Sequence, residues 1–172
     1  MTAVETDRLL LRPFEPGDVE PYAALQAAPE VVRWLPGGEA GIPRARETAE
    51  RLAAAFAAQW DEVGYGPWAV LERGTARFLG HAGLRWLPEM GETEILYALL
   101  PAAWGRGHAT EAALAARDHA FGPVGLDRVI AMAMPHNRRS IRVMDKVGLR
   151  FERSMEFEGI PAVLHSLGRG AA

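Results

Sequence analysis

The chain reads Trp104-Gly105-Arg106-Gly107-His108-Ala109-Thr110 between a predicted strand and a predicted helix. Small residues stand at positions 105, 107 and 109, so the backbone is free to curl and to approach a ligand closely. The start of the following helix offers unpaired N–H groups and the positive end of its dipole. These features favour a site for a pyrophosphate or a similar anion, although a glycine-rich turn without a ligand has the same pattern. The spacing differs from the two common nucleotide-binding loops, G-x-G-x-x-G and G-x-x-x-x-G-K-[ST].

Length and composition limit the class of protein. The chain has 172 residues and a net charge of −3, which predicts a single domain over residues 1–172 and argues against a nucleic-acid partner. Cysteine is absent, which excludes disulfides, thiolate metal sites and a cysteine nucleophile. The first ten residues do not resemble a signal peptide, and no apolar run approaches membrane-spanning length. We therefore expect a cytoplasmic protein with no membrane partner.

Apolar periodicity and capping residues predict helices on both sides of the glycine turn. Asp18 is a candidate N-cap for a helix that continues through Ala27. Pro43 is expected as the first residue of a long helix that Gly64 ends, after a loop at residues 36–41. Further helices are predicted at residues 31–35, 109–121 and 138–147, the last capped by Asn137 and ended by Gly148.

Seven stretches rich in β-forming residues are predicted to be strands. They are residues 8–14, 68–72, 78–86, 94–100, 128–134, 151–157 and 162–167. Hairpin-length connections predict mostly antiparallel pairing, and the crossover between Leu100 and Arg128 predicts one parallel pair. The predicted fold class is α/β (α+β), with one mixed, mostly antiparallel sheet of about seven strands flanked by about four helices.

Four segments carry a family resemblance, and they occur in the expected order. They are Thr6-Asp7-Arg8-Leu9-Leu10-Leu11-Arg12, Glu94-Ile95-Leu96-Tyr97, the loop and helix start at 104–112, and the last helix at 137–149. The chain resembles the GNAT superfamily of N-acetyltransferases, in its RimJ/RimL-like branch. The loop followed about thirty residues later by an N-x-x-S helix start is the most specific part of the pattern. The resemblance covers nearly the whole chain and implies a GNAT fold whose parallel strand pair splays apart.

The resemblance implies acetyl-CoA as co-substrate, with no metal. The implied pyrophosphate ligands are backbone N–H groups of Gly105, Arg106, Gly107, His108, Ala109 and Thr110. Trp104 stands where the superfamily pattern has Arg or Gln, which removes one side-chain donor. Arg106, Arg138 and Arg139 are either phosphate-side cations or ordinary solvated arginines. The side chain of His108 is expected at the surface of the loop.

The resemblance also implies that the pantetheine arm enters the splayed gap and borrows strand hydrogen bonds. By position this involves the backbone of Tyr97 and Leu99, with the Leu99 N–H as the donor to the thioester carbonyl, where negative charge develops during attack. Leu99 is also expected to pack in the core. Asn137 is implied to contact the cofactor arm, and it is in addition a good helix N-cap.

Amine acetylation requires a group that accepts the proton of the attacking ammonium. Glu94 on the central strand is the first candidate, Glu92 the second and His81 the third, and a solvated or arginine-paired role for Glu94 remains equally open. Many superfamily members protonate the leaving thiolate with a tyrosine on the last helix, but this chain has Met144 there. The resemblance assigns that role to Ser140, which otherwise is a helix-start serine.

The expected acceptor is a small-molecule or peptide amine, and the protein is expected to be a monomer or a homodimer. Candidate acceptor contacts are Trp34, Trp60, Trp86, Tyr97, Phe157, Glu89, Glu92, Glu156 and Glu158. The alternative function is a catalytically weakened protein that binds coenzyme A as a sensor or scaffold. A third, remote alternative is another nucleotide binder that uses the same anion-binding turn.

Overall fold

The computed structural model describes residues 2–170. Within that range eight strands form one mixed sheet, with helices on both of its faces. The strands are β1 (Val4–Glu5), β2 (Leu9–Arg12), β3 (Pro67–Glu72), β4 (Phe78–Leu87), β5 (Glu92–Leu99), β6 (Arg128–Ala133), β7 (Arg150–Phe157) and β8 (Ile160–Gly168). The α-helices are α1 (Val19–Gln26), α2 (Pro29–Val32), α3 (Ala45–Val63), α4 (His108–His119) and α5 (Arg138–Val147).

The strand order is β1-β2-β3-β4-β5-β6-β8-β7, and only the β5–β6 pair is parallel. The chain leaves β5, passes through α4 and returns along β6, as the predicted crossover requires. The mixed α/β fold is confirmed. The prediction of about seven strands was one too few because β1 has only two residues, which is too short for an alternating pattern to show.

The parallel pair is open over most of its length. β5 pairs with β4 from Leu99 to Glu92, but its pairing with β6 is limited to Glu94 opposite Ile130. The part of β5 beyond Glu94 therefore has no ladder partner on the β6 side. A gap separates the two strands there, and we call this gap the seam.

Alternation along β5 divides its side chains between two cores. Ile95 and Leu99 pack with α4 and α5 on one face, whereas Leu96 and Ala98 pack with α1 and α3 on the other. α4 buries three alanines, Ala112, Ala113 and Ala116, whose small side chains let the helix lie close to the sheet. Met144 and Val147 of α5 are buried, as predicted.

Local predictions differ from the structure at three places. The short helix predicted at residues 31–35 is α2, which spans Pro29–Val32. Asp18 precedes α1 but makes no side-chain cap, because its carboxylate accepts hydrogen bonds from Arg12 (2.7 and 2.9 Å) and from the Glu15 N–H (2.7 Å). Pro43 lies inside a 3-10 helix, Gly38–Arg44, and α3 begins only at Ala45. Gly64 ends α3 in the left-handed conformation (φ +80°), as predicted. None of the described helices has both the length and the apolar character that crossing a bilayer demands.

Candidate active site

The turn before α4 presents free backbone N–H groups. Gly105 (φ +72°) and Gly107 (φ +82°) adopt the left-handed conformation, which glycine enters without steric cost. Gly107 is the N-cap and has no side chain to cap the helix, and the first helical hydrogen bond runs from the Glu111 N–H to the Gly107 carbonyl (3.0 Å). The N–H groups of the first turn are therefore left for an anion.

A side-chain cluster holds this turn against the start of the chain. The Glu111 carboxylate accepts hydrogen bonds from the Thr6 hydroxyl (2.6 Å), the Arg8 N–H (2.9 Å) and Arg8 Nε (2.7 Å). Arg8 Nη1 also donates to the Arg106 carbonyl (2.7 Å) inside the turn. Partial burial raises the pKa of Glu111, but the hydrogen bonds from Thr6 and Arg8 outweigh it and leave the pKa lowered. We call Thr6, Arg8 and Glu111 the clamp.

Trp104 links the turn to the end of β5. Its indole Nε1 donates to the Leu99 carbonyl (2.7 Å), and the Arg139 guanidinium lies 5.2 Å from its ring centre. The indole N–H is therefore already bonded to the protein. The expectation that His108 lies at the loop surface was wrong: it is 4% exposed, because it is the first residue of α4 and faces inward.

Backbone groups of β5 point into the seam. The Leu100 N–H donates to the Leu79 carbonyl on β4 (2.8 Å). Antiparallel partners alternate between pairs that exchange hydrogen bonds and pairs that do not. Leu100 and Ala98 therefore direct their N–H and C=O groups towards β4. Leu99 and Tyr97 alternate with them, so their N–H and C=O groups point away from β4 and towards β6. The bond from Trp104 to the Leu99 carbonyl agrees with this direction.

Two hydroxyl groups meet across the seam. Tyr97 Oη on β5 lies 3.0 Å from Ser140 Oγ on α5 and also donates to the Ser140 carbonyl (3.0 Å). Asn137 Oδ1 accepts a hydrogen bond from the Ser140 N–H (3.2 Å), so the predicted N-cap is confirmed. Burial raises the pKa of Tyr97. The Tyr97–Ser140 contact was missed in the sequence, where the two residues are 43 positions apart and carry no shared local pattern.

Glu94 lies on the opposite face of β5. It is 4% exposed, and its Oε2 accepts from Arg85 Nε (2.8 Å) on the neighbouring strand. Burial raises the pKa of Glu94, and Arg85 opposes part of that rise. Glu92 instead pairs with Arg128 (3.0 Å). Burial, followed by the charge of Arg85, lowers the pKa of His81 to about 3, so this imidazole is neutral at neutral pH and a weak base.

A cavity of about 1040 Å³ extends through the seam and opens on both faces of the sheet. Its two ends are called here the turn half, beside α4 and α5, and the Glu94 half, beside α1 and α3. The predicted site residues that line it are Glu94, Tyr97, Leu99, Trp104, Gly105, Gly107, His108, Ala109, Thr110, Asn137 and Ser140. The Arg106 side chain does not line it. No group of three or more potential metal ligands occurs among residues 2–170.

Only some of the acceptor contacts expected from the sequence line the cavity. Trp34, Tyr97, Phe157 and Glu158 line the cavity, whereas Trp60, Trp86, Glu89, Glu92 and Glu156 do not. Sequence reasoning missed Tyr22, Gln26 and Arg51, which line the Glu94 half from α1 and α3. The sequence signal was the position of Gln26, a polar residue one helical turn after Tyr22 and therefore on the same face of α1.

Comparisons with known proteins agree with this architecture. The profile of the acetyltransferase (GNAT) domain matches residues 8–150. The uncharacterized N-acetyltransferase YoaA of Bacillus subtilis (strain 168) is 30% identical over 152 residues, which cover 87% of this chain and 83% of YoaA.

Two solved structures show the same fold over nearly the whole chain. The acetyltransferase from Agrobacterium tumefaciens str. C58 superposes with a TM-score of 0.84 and 26% identity, over 98% of this chain and 95% of that one. Mycobacterium smegmatis RimJ, in complex with CoA-disulfide, superposes with a TM-score of 0.77 and 22% identity, over 94% and 82% of the two chains.

Proposed function

The chain belongs to the GNAT acetyltransferase family, and from this premise we propose that it transfers an acetyl group from acetyl-CoA to a primary amine. The amine attacks directly while both substrates are bound. The observation that carries this proposal is the cavity through the seam, which joins the anion-binding turn on one face to Glu94 on the other. The CoA-disulfide bound to RimJ of M. smegmatis supports coenzyme A as the carrier.

The residues of the turn half fit the carrier. The free N–H groups from Gly105 to Thr110 suit a pyrophosphate. A Cβ added at Gly107 would meet only the flexible end of Arg8 (Nη2, 3.3 Å), so the space in front of the turn is open to a ligand. The inward-pointing backbone of Tyr97 and Leu99 suits an amide-containing arm. When bound, acetyl-CoA supplies an acetyl group on a thiolate leaving group.

Two side chains and one backbone group of the protein then act on the reaction: the side chains transfer protons, and the backbone group stabilises a developing charge. Glu94 accepts the proton of the ammonium, directly or through water. Burial suits it to this role, because it raises the pKa of Glu94 above that of an ordinary carboxyl group. The Leu99 N–H stabilises negative charge on the carbonyl oxygen. Ser140 gives a proton to the departing thiolate, and its hydrogen bond with Tyr97 orients the hydroxyl.

Coenzyme A release and coenzyme A binding, measured separately, test the proposal. We expect thiol release that depends on both acetyl-CoA and an amine from a panel of amino acids, peptides, polyamines and aminoglycosides. Tight binding without turnover on every amine would contradict acetyl transfer and support a coenzyme A sensor or scaffold. Displacement of coenzyme A by simple nucleotides would support a different nucleotide binder.

Replacing Ser140 by alanine should lower kcat more than it weakens coenzyme A binding. We expect a fall in kcat of about tenfold, because a thiolate leaves more readily than most groups that need a general acid. The dissociation constant of coenzyme A should change less than about twofold. Steady-state kinetics and calorimetry would measure the two effects. Ser154→Ala, at an exposed serine on β7, is the matched control, and an unchanged kcat for Ser140→Ala would remove Ser140 from the mechanism.

Replacing Arg8 by glutamine should weaken coenzyme A binding and leave kcat at saturation nearly unchanged. The change removes the clamp's bond to the Arg106 carbonyl, so the turn loses part of its fixed shape. We expect the dissociation constant to rise about three- to tenfold, the range for the loss of an ordinary hydrogen bond. Arg153→Gln, which breaks an ion pair with Glu152 on β7, is the control. Equal affinities for Arg8→Gln and the native protein would contradict a positioning role for the clamp.

A further inference from the structure

Three buried polar atoms in the wall of the Glu94 half have no hydrogen-bond partner among residues 2–170. They are Tyr22 Oη, Gln26 Nε2 and His81 Nδ1, and each residue is more than nine-tenths buried. The Tyr22 and His81 rings stand edge to face at 5.5 Å, and Gln26 follows Tyr22 by one helical turn. Folded proteins bond the large majority of their buried polar groups. Three exceptions in one cavity wall indicate a place built for a polar ligand group.

An unpaired cation lies beside this cluster. Arg51 of α3 lines the same half of the cavity, and it makes no ion pair within the described part of the chain. Burial raises the pKa of the Tyr22 hydroxyl, while the neighbouring side-chain amide of Gln26 and the charges of Arg51 and Arg85 oppose the rise. Arg85 is already neutralised by Glu94 (2.6 Å). Arg51 is therefore the cation left to meet an anionic group.

The charges of the Glu94 half are balanced rather than acidic. Its lining carries two acids, Glu94 and Glu158, and two arginines, Arg51 and Arg85. The charges of Arg44 and Glu47, which line a smaller pocket next to this half, also cancel each other. A polyamine or an aminoglycoside brings several positive charges and calls for an acidic surplus, which this half lacks. An acceptor with one ammonium and one carboxylate matches the balance.

We propose that the Glu94 half binds an amino acid-like acceptor, with its amine towards Glu94 and its carboxylate towards Arg51, Tyr22 and Gln26. On the paired strands β4 and β5, His81 lies opposite Ala98 and Arg85 lies opposite Glu94. The two pairs are four residues apart, which is roughly 13 Å along the strands. A separation of this length favours ω-amino acids over α-amino acids, whose ammonium and carboxylate are bonded to the same carbon. The inference rests on the proposed acetyl transfer and narrows its acceptor.

Matched pairs of acceptors test the subsite. Each α- or ω-amino acid is compared with its own carboxamide, which keeps the amine and removes the negative charge, and polyamines, aminoglycosides and short peptides complete the panel. With the full-length protein and saturating acetyl-CoA, we expect kcat/KM for at least one amino acid to exceed that of its carboxamide about tenfold or more. Arg51→Gln should raise KM for that amino acid and abolish the preference. Arg46→Gln, five positions earlier on α3 and paired with Glu20 and Glu50, should leave the preference intact.

The outcomes of these assays distinguish a wrong subsite from the absence of acetyl transfer. A carboxamide that equals or exceeds its amino acid, or a polyamine, aminoglycoside or peptide that outperforms every amino acid, would overturn the subsite while acetyl transfer stands. If no amine is acetylated, calorimetry with the coenzyme A-loaded protein decides. Carboxylate-selective binding that Arg51→Gln removes would then support the subsite without the reaction, and no binding of any amino acid would overturn both.

Discussion

Glu94→Gln is expected to lower kcat by ~10²–10⁴-fold, the usual contribution of a general base. Glutamine keeps the shape of the side chain but accepts no proton, so the attacking amine would have to lose its proton to bulk water. The amide also leaves Arg85, bonded to Glu94 at 2.8 Å, without its counter-charge. Thermal unfolding should accompany the kinetics, so that a fall in kcat is separated from a loss of folded protein.

The pH profile gives this prediction a second measurement. Burial raises the pKa of Glu94 above that of an ordinary carboxyl group. The base works only when ionised, so kcat/KM in the native protein should fall as pH is lowered through that raised pKa. Glu94→Gln should lose this acidic limb. Glu92→Gln is the matched control on the same strand, because Glu92 pairs with Arg128 and lies outside the cavity. Native kcat in Glu94→Gln, or loss of activity in Glu92→Gln alone, would assign the base elsewhere.

Gly107→Trp is expected to abolish measurable coenzyme A binding and to leave the protein folded. The indole would fill the space in front of the free N–H groups of the first turn of α4. Gly107 has φ +82°, a conformation that costs any other residue about 1–2 kcal/mol. Its added Cβ would meet only the far end of Arg8 (3.3 Å), which is flexible. The stability loss should therefore stay near that conformational cost, while affinity falls below detection in calorimetry.

Gly91→Trp provides the control for backbone strain. Gly91 also has a positive φ (+63°), and a Cβ there meets nothing within 4 Å. It lies in the turn between β4 and β5 and does not line the cavity. The two variants should lose similar stability in thermal melts, and only Gly107→Trp should lose coenzyme A. A native dissociation constant in Gly107→Trp would refute the assigned turn.

The parts of the fold with strong local signals were predictable from the sequence. Gly64 and Gly148 end α3 and α5 as left-handed caps, and glycine is the residue that such caps require. The crossover after Leu100 gave the parallel pair, since a helix between two strands leaves few other connections. The position of Asn137 at the start of α5 followed from its capping side chain.

Contacts between distant segments were not predictable in this way. Arg8 and Glu111 lie 103 positions apart, and each belonged to a recognised segment, but nothing local shows that one holds the other. The side chain of His108 was assigned to the surface because histidine in a glycine-rich loop is ordinarily exposed, whereas the tight turn points it inward. For Glu94 the alternation of β5 gave the face, and only the tertiary structure brings that face to the cavity.

The seam also determines how the two parts of the sheet are joined. Strands β1 to β5 form one ladder and β6 to β8 another, with the Glu94–Ile130 register as their backbone link. Both ladders also share one apolar core, and side-chain bonds add to it: Arg128 to Glu92 (3.0 Å), Tyr97 to Ser140 (3.0 Å) and, between α4 and α5, Arg117 to the Val147 carbonyl (3.1 Å). Such bonds yield to small displacements more easily than a continuous ladder does. Because the backbone ladder is interrupted between β5 and β6, we expect a bound ligand to be accommodated by separation of these two strands rather than by bending of either ladder.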